Sequence, residues 1–392
     1  MKLLFADYFP WGHGPKVGNH HYARLFRKDG HDVCWLSQFL NYNRLIRRSE
    51  EDEIFINSWK AGLRQCEDGV WSLTPLALLP YIDAPLLRSP WLGRRTLKWT
   101  VPSVRGALAK IGADEPDVLW LGIPRMASLA RAVRSAKQVV YRMSDLVTGF
   151  KGNPASVEEL EIEICRKSSV VFATAQDLVV RAERWAKNVV YLPNGVDLER
   201  FDLSVEEPEC LAEIPHPRLL YVGAISGWYD MDVLDEITDK RPDAHLVLVG
   251  PIAGTSDVQN VLKARMKTLS AKPNVHYLGF QSPTLVPGLM RHCDVGLIPF
   301  QCDEFTHSIS PIKLFEYAAA GLPVVSRNLD ETRRQGGPTF YYDTPSECIA
   351  AVDEAVSRRD ELFPQMRTFA EANTWDTRYE TARDALNSVT SQ

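Results

Sequence analysis

The sequence predicts an α/β protein built from two doubly wound domains of similar size. Short apolar runs rich in Val, Leu and Ile recur along the 392 residues, and segments with helical periodicity separate them. These runs lack polar alternation, which is typical of strands buried on both faces of a parallel sheet. A polar, proline-bearing stretch at 201–217 interrupts the pattern near the middle of the chain and predicts a domain linker.

The predicted strands form one series before the linker and another after it. They are Lys2–Ala6, Val33–Leu36, Val118–Leu121, Val139–Tyr141, Val170–Ala173, Val189–Leu192, Leu219–Val222, His245–Val249, Val275–Leu278, Val295–Pro299 and Val324–Ser326. We therefore expect Rossmann-like domains at 1–200 and 218–370, and a C-terminal helix at 371–392 that crosses back to the first domain. Such sheets bind ligands at the carboxyl ends of their strands, so we expect the domains to face a central cleft that holds the site.

Composition and charge exclude several classes of protein. An apolar content of 45% with 24% charged residues is that of a globular protein and not of a disordered or fibrous one. The formal charge of −5 gives no global nucleic-acid signature. The seven scattered cysteines include no C-x-x-C pair, which argues against a zinc site or a disulfide framework and fits a reducing cytoplasm. An acid at residue 7 and the lack of a long apolar run argue against a signal peptide and a membrane-spanning helix.

One segment marks both ends of a short helix. The run Ser-Pro-Ile-Lys-Leu-Phe-Glu-Tyr-Ala-Ala-Ala-Gly-Leu-Pro-Val-Val occupies 310–325. Ser310 suits the N-cap, Pro311 suits the first helical position, and Gly321 suits the C′ position. The segment therefore predicts a helix that ends before a buried strand.

The first turns of this predicted helix carry side chains that fit a nucleotide. The helix N-terminus and Lys313 are suited to hold a diphosphate. Glu316 lies three residues further on the same face, where its carboxylate could accept two hydrogen bonds from a ribose diol. The same two side chains would also form an ordinary exposed ion pair, and the residues alone leave both alternatives open.

The segment at 310–325 resembles the nucleotide-binding signature of GT-B-fold glycosyltransferases, which use nucleotide sugars. Further resemblances follow the family's order along the chain: Gly30–Val33, Asn194–Asp197, Tyr221–Gly223 and Trp375–Asp376. The resemblance covers both domains and implies that the second domain binds a nucleotide-sugar donor, expected to be UDP-linked. The predicted donor contacts are Gly223, Ile225, Phe280, Ser310, Lys313 and Glu316.

A narrower resemblance, carried by Val140–Asp145 and by a basic-aromatic segment, is to the membrane-associated glucuronosyltransferase of xanthan assembly. It implies that Asp145 is the general base. The position of Asp145 in the sequence is compatible with this role, because it follows a predicted strand. Burial there would raise the pKa of Asp145 toward neutrality, as a general base requires, while the charge of Arg142 would lower it. The alternative is that Asp145 only caps a turn.

The sequence also bears on stereochemistry and metals. Retaining members of the fold usually carry a second acid eight residues before the position of Glu316, and this chain has Ser308 there. The departure favours inverting displacement with Asp145 as base, although Glu304 is an alternative second acid. Asp230–Asp232 has the D-x-D spacing of metal-dependent transferases of another fold, but its position at a helix start favours an interaction with the helix dipole. We expect no catalytic metal and no cofactor.

A glycine-bearing loop at 11–21 follows the first strand. Its glycine spacing matches a dinucleotide-binding motif poorly. We interpret it as an acceptor-side loop in which Gly18, Asn19 and His20 contact the acceptor. A surface histidine at the start of a helix is an alternative for His20.

The segment 84–112 is basic and aromatic and contains no acid. Its six cations alternate with leucines and tryptophans. Such a patch is typical of an interfacial membrane anchor, since anionic lipid attracts each cation by about 1 kcal/mol and indoles settle at headgroup depth. The predicted membrane patch is Trp91, Arg94, Arg95, Lys98 and Trp99. The alternative is a solvated helix whose tryptophans lie in the core of the first domain.

Together these features predict a cytoplasmic, monomeric, metal-independent hexosyltransferase on the inner face of the cell membrane. It would move a sugar from a nucleoside diphosphate donor to a lipid-linked or glycolipid acceptor in bacterial polysaccharide or lipopolysaccharide assembly, without a nucleic-acid partner. Two alternatives remain open. One is a nucleotide-sugar epimerase of the same architecture, and the other is a non-catalytic carbohydrate- or nucleotide-binding protein.

Overall fold

A computed structural model describes residues 1–12, 16, 18–133, 135–150 and 153–390. The chain divides into two compact units. The first comprises Met1–Pro193 with Arg378–Gln392, and the second comprises Asn194–Thr377.

The unit boundary lies before the stretch that the sequence marks as a linker, 201–217. Phe201, Leu211 and Ile214 are buried in the hydrophobic core of the second unit. Apolar side chains spaced among prolines and acids therefore fold this stretch into a domain, although its composition resembles that of a linker.

The first unit is built on a mostly parallel sheet. Its strands are β1 (Lys2–Asp7), β2 (Asp32–Ser37), β3 (Arg64–Gln65), β4 (Trp71–Leu73), β5 (Leu76–Ala77), β6 (Thr100–Val101), β7 (Val118–Leu121), β8 (Gln138–Met143), β9 (Val170–Ala173) and β10 (Val189–Tyr191). Within the described residues the sheet order is β10-β9-β8-β7-β1-β2-β4-β3, with β3 antiparallel to β4. Ala6 of β1 pairs with Leu121 of β7, and Leu121 pairs with Tyr141 of β8, so these strands end at a common edge.

Helices of the first unit connect these strands. They are α1 (Gly18–Lys28), α2 (Tyr42–Arg47), α3 (Glu50–Ala61), α4 (Pro90–Gly93), α5 (Val104–Lys110), α6 (Ala127–Ala132), α7 (Val157–Lys167) and α8 (Gln176–Glu183). The N-terminus of α3 is capped by nearby residues, because Ser49 and Asp52 form a capping box.

The second unit is built on a parallel sheet with helices between successive strands. Its strands are β11 (Arg218–Val222), β12 (His245–Val249), β13 (Val275–Gly279), β14 (Val295–Ile298), β15 (Val324–Arg327) and β16 (Thr339–Tyr342). Its helices are α9 (Met231–Lys240), α10 (Ser256–Leu269), α11 (Val286–Arg291), α12 (Glu304–His307), α13 (Ile312–Ala319), α14 (Asp330–Gln335), α15 (Pro345–Ser357) and α16 (Arg359–Ala372). Within the described residues the sheet order is β13-β12-β11-β14-β15-β16.

The last helix, α17 (Trp375–Thr390), contributes residues from Arg378 onward to the first unit. The Tyr379 ring packs edge-on against Phe26 at a centroid distance of 4.8 Å, and its hydroxyl donates to Asp29 Oδ2 at 2.5 Å. Gln138 Nε2 donates to the Leu386 carbonyl at 2.8 Å. No helix in the described part of the chain combines the length and apolar character needed to cross a membrane.

The predicted fold class is confirmed, and each predicted run coincides with an observed strand whose ends differ by at most two residues. Four short strands, β3 to β6, were not predicted, because two or three residues carry no periodic signal. The edge strand β16 was not predicted either.

Candidate active site

Helix α13 carries the side chains that the sequence assigns to the nucleotide. Its last turn ends in a Schellman motif, in which the Gly321 N–H donates to Ala318 and the Leu322 N–H donates to Tyr317, both at 2.9 Å. Gly321 has a φ of +74°, a conformation that favours glycine. The predicted C-terminal end of the helix is therefore confirmed.

The N-cap prediction for Ser310 is wrong. Pro311 occupies the N-cap position without a side-chain hydrogen bond. The buried Ser310 Oγ accepts from the Asn194 N–H at 3.2 Å and from Gln335 Nε2 at 2.7 Å, while Asn194 Nδ2 donates to the Ser310 carbonyl at 2.6 Å. Ser310 thus fixes the start of α13 to two other segments, and the residue is only 4% exposed, while its contact with the donor stays a prediction.

Lys313 lies over the carboxyl end of β11. Its Nζ is 5.2 Å from the centroid of the Tyr221 ring, and a Cβ added to Gly223 would come within 2.5 Å of its Cε. Burial lowers the pKa of Lys313, and Glu316 acts in the opposite direction. Among the described residues no carboxylate oxygen comes within 4.0 Å of its ammonium group, so the alternative of a simple ion pair with Glu316 is not formed.

Glu316 lies one turn further along α13 with its side chain 21% exposed. Burial raises its pKa, while Arg200 and Lys313 act to lower it. Arg200 Nη1 is 3.9 Å from Glu316 Oε1, and Arg200 Nη2 donates to the Pro283 carbonyl at 3.2 Å. Sequence reasoning missed Arg200, and no local motif could have identified it, because its partner lies 116 residues further along the chain.

Glycines end three adjacent strands at this edge of the sheet. Gly223, Gly250 and Gly279 have φ values of +142°, +135° and +63°. A Cβ added to Gly250 would lie 2.1 Å from the Gly223 carbonyl oxygen, so the two strand ends meet backbone to backbone. The carboxyl edge of a doubly wound sheet is its usual ligand site, and here the three strand ends carry no side chain to fill the edge.

The two remaining predicted donor contacts differ in their exposure. Ile225 is fully buried, its N–H donates to Pro251 at 2.9 Å, and its carbonyl accepts from Ala253 at 2.8 Å. The side chain and backbone of Ile225 thus have partners within the protein, and its contact with the donor stays a prediction. Phe280 directly follows β13 and is 71% exposed, so its ring is accessible to a ligand.

Asp145 lies just beyond the carboxyl end of β8 in the first unit and is partly buried. Burial raises its pKa to about 6, and the charge of Asp7 also raises it, while Arg142 acts to lower it. Arg142 is 2% exposed, and its Nη1 donates to Ser144 Oγ at 2.6 Å. An acid at this pKa is mostly ionised at neutral pH and remains a usable proton acceptor.

Asp7 is a second buried acid at the same edge of the sheet, and sequence reasoning did not assign it a role. Its carboxylate accepts from Asn19 Nδ2 at 2.9 Å and from the Tyr8 N–H at 2.7 Å. Burial raises the pKa of Asp7, although these hydrogen bonds and Arg142 lower it. A Cβ added to Gly122 would come within 2.6 Å of Asp7 Oδ1, so the glycine makes room for the carboxylate. The sequence pattern that identified Asp145, an acid at the end of a buried strand, could also have identified Asp7.

The predicted acceptor contacts at the start of α1 lie among buried side chains of the first unit. Asn19 is buried between Asp7 and Trp120, whose Nε1 donates to Asn19 Oδ1 at 3.0 Å. The buried His20 ring lies 4.2 Å from the Trp35 ring and 5.5 Å from the Trp11 ring, centroid to centroid. Both residues therefore belong to the packed core of the first unit, and their contact with the acceptor stays a prediction.

Gly18 also has a packing role. A Cβ added there would come within 2.7 Å of the Arg142 guanidinium, so Gly18 allows Arg142 to lie against the start of α1. An acceptor contact at Gly18 stays a prediction. Residues 13–15 and 17 of the predicted acceptor loop lie outside the described residues.

Asp230, Asp232 and Ser308, which bear on the metal and stereochemistry predictions, have clear partners. Asp230 Oδ1 accepts from the N–H groups of Asp232 and Val233, at 3.1 and 3.3 Å, and so caps α9. Asp232 pairs with Arg265 at 2.6 Å. Ser308 is buried, and its Oγ donates to the Phe305 carbonyl at 2.7 Å. The described residues contain no group of three or more His, Cys, Asp or Glu side chains placed to hold a metal ion.

The basic-aromatic surface of the first unit consists of Trp91, Arg95, Lys98 and Trp99. Trp91 is 54% exposed, and its ring centroid lies 6.0 Å from that of Trp99. The Arg95 guanidinium stacks over the Trp91 ring, 4.5 Å from its centroid. Arg94 differs from its neighbours, because its Nε donates to Glu163 Oε2 at 2.8 Å. Arg94 therefore joins α7 to this segment and does not belong to the exposed cationic surface.

Comparisons with known proteins agree with this architecture. Residues 216–358 match the family model described as "Glycosyl transferases group 1". The chain is 28% identical over 282 residues to a Bacillus subtilis (strain 168) protein named provisionally as the teichuronic acid biosynthesis glycosyltransferase TuaH, a match covering 66% of this chain and 68% of that protein.

Two solved structures are similar over nearly the whole chain. Anabaena HepE, solved in complex with UDP and glucose, has a TM-score of 0.69 and 17% identity and covers 99% of this chain and 100% of its own. Sucrose-phosphate synthase from Thermosynechococcus elongatus has a TM-score of 0.73 and 14% identity and covers 100% of both chains. These likenesses show two Rossmann-like domains of the GT-B fold. The chain therefore has the GT-B fold, and residues 216–358, in its second unit, match a glycosyltransferase group 1 domain.

Proposed function

We propose that this glycosyltransferase moves a hexose from a UDP-linked sugar to a lipid-linked or glycolipid acceptor in bacterial polysaccharide assembly, with inversion at the anomeric carbon. The observation that carries the proposal is that one turn of α13 holds two charged side chains that form no ion pair with each other. Lys313, a partly buried cation, lies beside Gly223, and Glu316 is a partly exposed carboxylate. The complex of HepE with UDP and glucose supports the donor class, and the name of the Bacillus subtilis relative supports the pathway class.

The second unit would hold the donor through charge and hydrogen bonding. The Lys313 ammonium and the first N–H groups of α13 would bind the diphosphate. The glycines that end β11, β12 and β13 would allow the diphosphate to approach the backbone closely. Glu316 would accept hydrogen bonds from the ribose hydroxyls, with Arg200 favouring its ionised form. The same cationic groups would stabilise the charge that develops on the leaving diphosphate, so we propose that the reaction needs no metal ion.

The first unit would supply the general base. Asp145 would accept the proton of the acceptor hydroxyl as the hydroxyl oxygen attacks the anomeric carbon and the bond to the diphosphate breaks. One displacement inverts the anomeric centre. Ser308, which donates its proton to a carbonyl, offers no carboxylate for a two-step retaining route.

The basic-aromatic surface would bring the enzyme to the lipid that carries its acceptor. Around it the structure exposes further apolar side chains, Leu78 and Leu79 at 42% each and Val101 at 45%. Arg88, Lys98, Arg105 and Lys110 are exposed, and among the described residues none has a carboxylate within 4.0 Å. An exposed indole, that of Trp91, beside unpaired cations is the composition that binds an anionic bilayer surface, and we propose a peripheral position on the inner face of the cell membrane.

The test is nucleotide release from a panel of nucleoside diphosphate sugars, with and without polyprenyl-diphosphate-linked glycans as acceptors. The proposal expects UDP release that requires the acceptor and disappears in Asp145→Asn. Free nucleotide or an epimerised sugar without acceptor would instead indicate the epimerase. Binding of the donor without turnover under any acceptor would support the non-catalytic alternative.

A further inference from the structure

A pocket lies at the carboxyl edge of the sheet in the first unit. It is lined by Gln38 and Phe39, which directly follow β2, and by Arg125 and Met126, which lie in the turn after β7. In the sheet, β7 is also the neighbour of β8, the strand that Asp145 follows. The pocket therefore occupies the edge at which a doubly wound sheet usually binds its ligands.

Two amide side chains of this pocket are not fully used by the protein. Gln38 is only 9% exposed, and its side-chain amide makes no hydrogen bond within the part of the chain that the structure describes. Asn41 Oδ1 accepts from the Arg44 N–H at 3.2 Å, whereas Asn41 Nδ2 donates to no group among the described residues. Buried polar groups are normally hydrogen-bonded, because a missing partner is costly. Both amides therefore retain hydrogen-bonding capacity for a ligand.

Arg125 gives the pocket a positive charge. Its Nε and Nη2 donate to Asn153 Oδ1 at 3.2 and 2.8 Å, and Asn153 Nδ2 donates in turn to the Val147 carbonyl at 2.9 Å. Burial lowers the pKa of the Arg125 guanidinium, and Arg44 lowers it further, while Asp83 acts to raise it. None of the described residues that line the pocket is an acid. The ligand that complements this lining is therefore an anion.

Another part of the lining comes from the segment that carries exposed apolar side chains. Ala77 and Pro80 line the pocket, and between them in the sequence lie Leu78 and Leu79, each 42% exposed. Under the proposed function these leucines belong to the surface that meets the lipid. In a lipid-linked glycan, the anion nearest the lipid is the phosphate that joins the lipid to the glycan. The position of the pocket therefore favours a phosphate over a carboxylate farther along the glycan.

We propose that this pocket binds a phosphate group of the acceptor's lipid diphosphate, with Arg125, Gln38 and Asn41 donating to its oxygens. The assignment rests on the proposed function, since the acceptor is that of the proposed reaction. The planar N–H groups of a guanidinium match the geometry of phosphate oxygens, so arginine suits this ligand. The bound phosphate would anchor the lipid end of the acceptor at the sheet edge that also carries Asp145.

The first experiment is a calorimetric titration of geranyl diphosphate into the full-length protein in the presence of saturating UDP. The UDP occupies the proposed donor site, so the titration reports a different site. Arg125→Gln should weaken binding at least about tenfold, because it removes a charge-assisted contact. Arg166→Gln removes the same charge from an exposed position on α7 and should leave the affinity unchanged.

Three results of this titration would overturn the proposal. They are no binding to the unmodified protein, unchanged affinity in Arg125→Gln, and equal losses in the two arginine variants. A parallel titration with glucuronate distinguishes the two anions that an arginine pocket could take. Binding of glucuronate without binding of geranyl diphosphate would assign the pocket to a carboxylate and would also overturn the proposal.

Gln38→Leu separates a binding role from a structural one. Leucine is similar in size, and the amide that it replaces has no hydrogen bond among the described residues, so the free energy of unfolding should stay the same or rise. The affinity for geranyl diphosphate should fall about twofold to tenfold, as expected for the loss of one neutral hydrogen bond. Lower stability with unchanged affinity would show that Gln38 only packs the pocket, contrary to the proposal.

Transfer assays distinguish a failure of this assignment from a failure of the proposed function. With a diphosphate-linked acceptor, Arg125→Gln should raise KM and leave kcat nearly unchanged, and with the same glycan lacking the diphosphate it should behave like the unmodified protein. Equal increases in KM with both acceptors would overturn the assignment while the proposed function stands. Absence of transfer to any acceptor would refute the proposed function and the acceptor assignment with it, and the titrations would still show whether the pocket binds a phosphate.

Discussion

Lowering the pH from 7 to 5 should reduce kcat/KM about tenfold if Asp145 is the general base. Burial and the charge of Asp7 raise its pKa to about 6. The base must be ionised, so activity is present above this pKa and is lost as the pH falls through it. At the ordinary value of 3.8 the carboxylate would still be about 94% ionised at pH 5, and kcat/KM would hardly change.

The assay is initial-rate nucleotide release between pH 4.5 and 8, with thermal unfolding followed at each pH to separate titration from denaturation. Asp145→Asn keeps the shape but cannot accept the proton, so turnover should fall by roughly 10²–10⁴-fold with donor affinity unchanged. An acid limb at or below pH 4, or near-normal turnover in the variant, would refute this reasoning.

Asp7→Asn tests the electrostatic part of the same argument. Removing a like charge should lower the pKa of Asp145 and move the acid limb of the profile to lower pH. The substitution also replaces one of two accepting oxygens, so the free energy of unfolding should fall by about 1–3 kcal/mol. An acid limb that stays in place would show that Asp7 only packs the core.

Two further predictions concern Gly223 at the proposed donor site and the basic-aromatic surface. Gly223→Ala should weaken UDP binding at least about tenfold by calorimetry, because the added Cβ would push Lys313 Cε, 2.5 Å away, from its place and a side chain is strained at a φ of +142°. Gly227→Ala meets only an ordinary 3.5 Å contact and should bind normally. Equal affinities in the two variants would remove Gly223 from the site. Reversing Arg88, Arg95 and Lys98 to glutamate should abolish co-sedimentation with anionic vesicles, since each cation contributes about 1 kcal/mol of attraction. Retained binding would show that the basic-aromatic surface does not meet the lipid.

The sequence was informative where one local pattern determines the structure. Continuous apolar runs identified the sheet strands, and Gly321 identified the end of α13, because strand burial and helix termination depend on neighbouring residues. Long-range partners could not be inferred in this way. Ser310 looks like an N-cap, yet its hydroxyl accepts from Asn194 and Gln335, which are distant in sequence.

The same limit applies to burial in the first unit. Asn19 and His20 follow a glycine-bearing loop and look exposed, but a cluster of tryptophans from other elements covers them. Arg94 looks like its basic neighbours in 84–112, and only the fold brings Glu163 beside it. A pattern on one segment predicts burial poorly when the covering side chains come from elsewhere.

The binding of UDP to Lys313→Ala and Glu316→Ala, measured by titration calorimetry, tests the central claim most directly. Each substitution removes a charge-assisted contact worth roughly 1.5–3 kcal/mol, so the account predicts that affinity falls about tenfold to a hundredfold in both. Lys240→Ala, in an exposed pair with Glu236 on another helix of the same unit, should bind UDP like the unmodified protein. Unchanged affinity in both α13 variants would contradict the account.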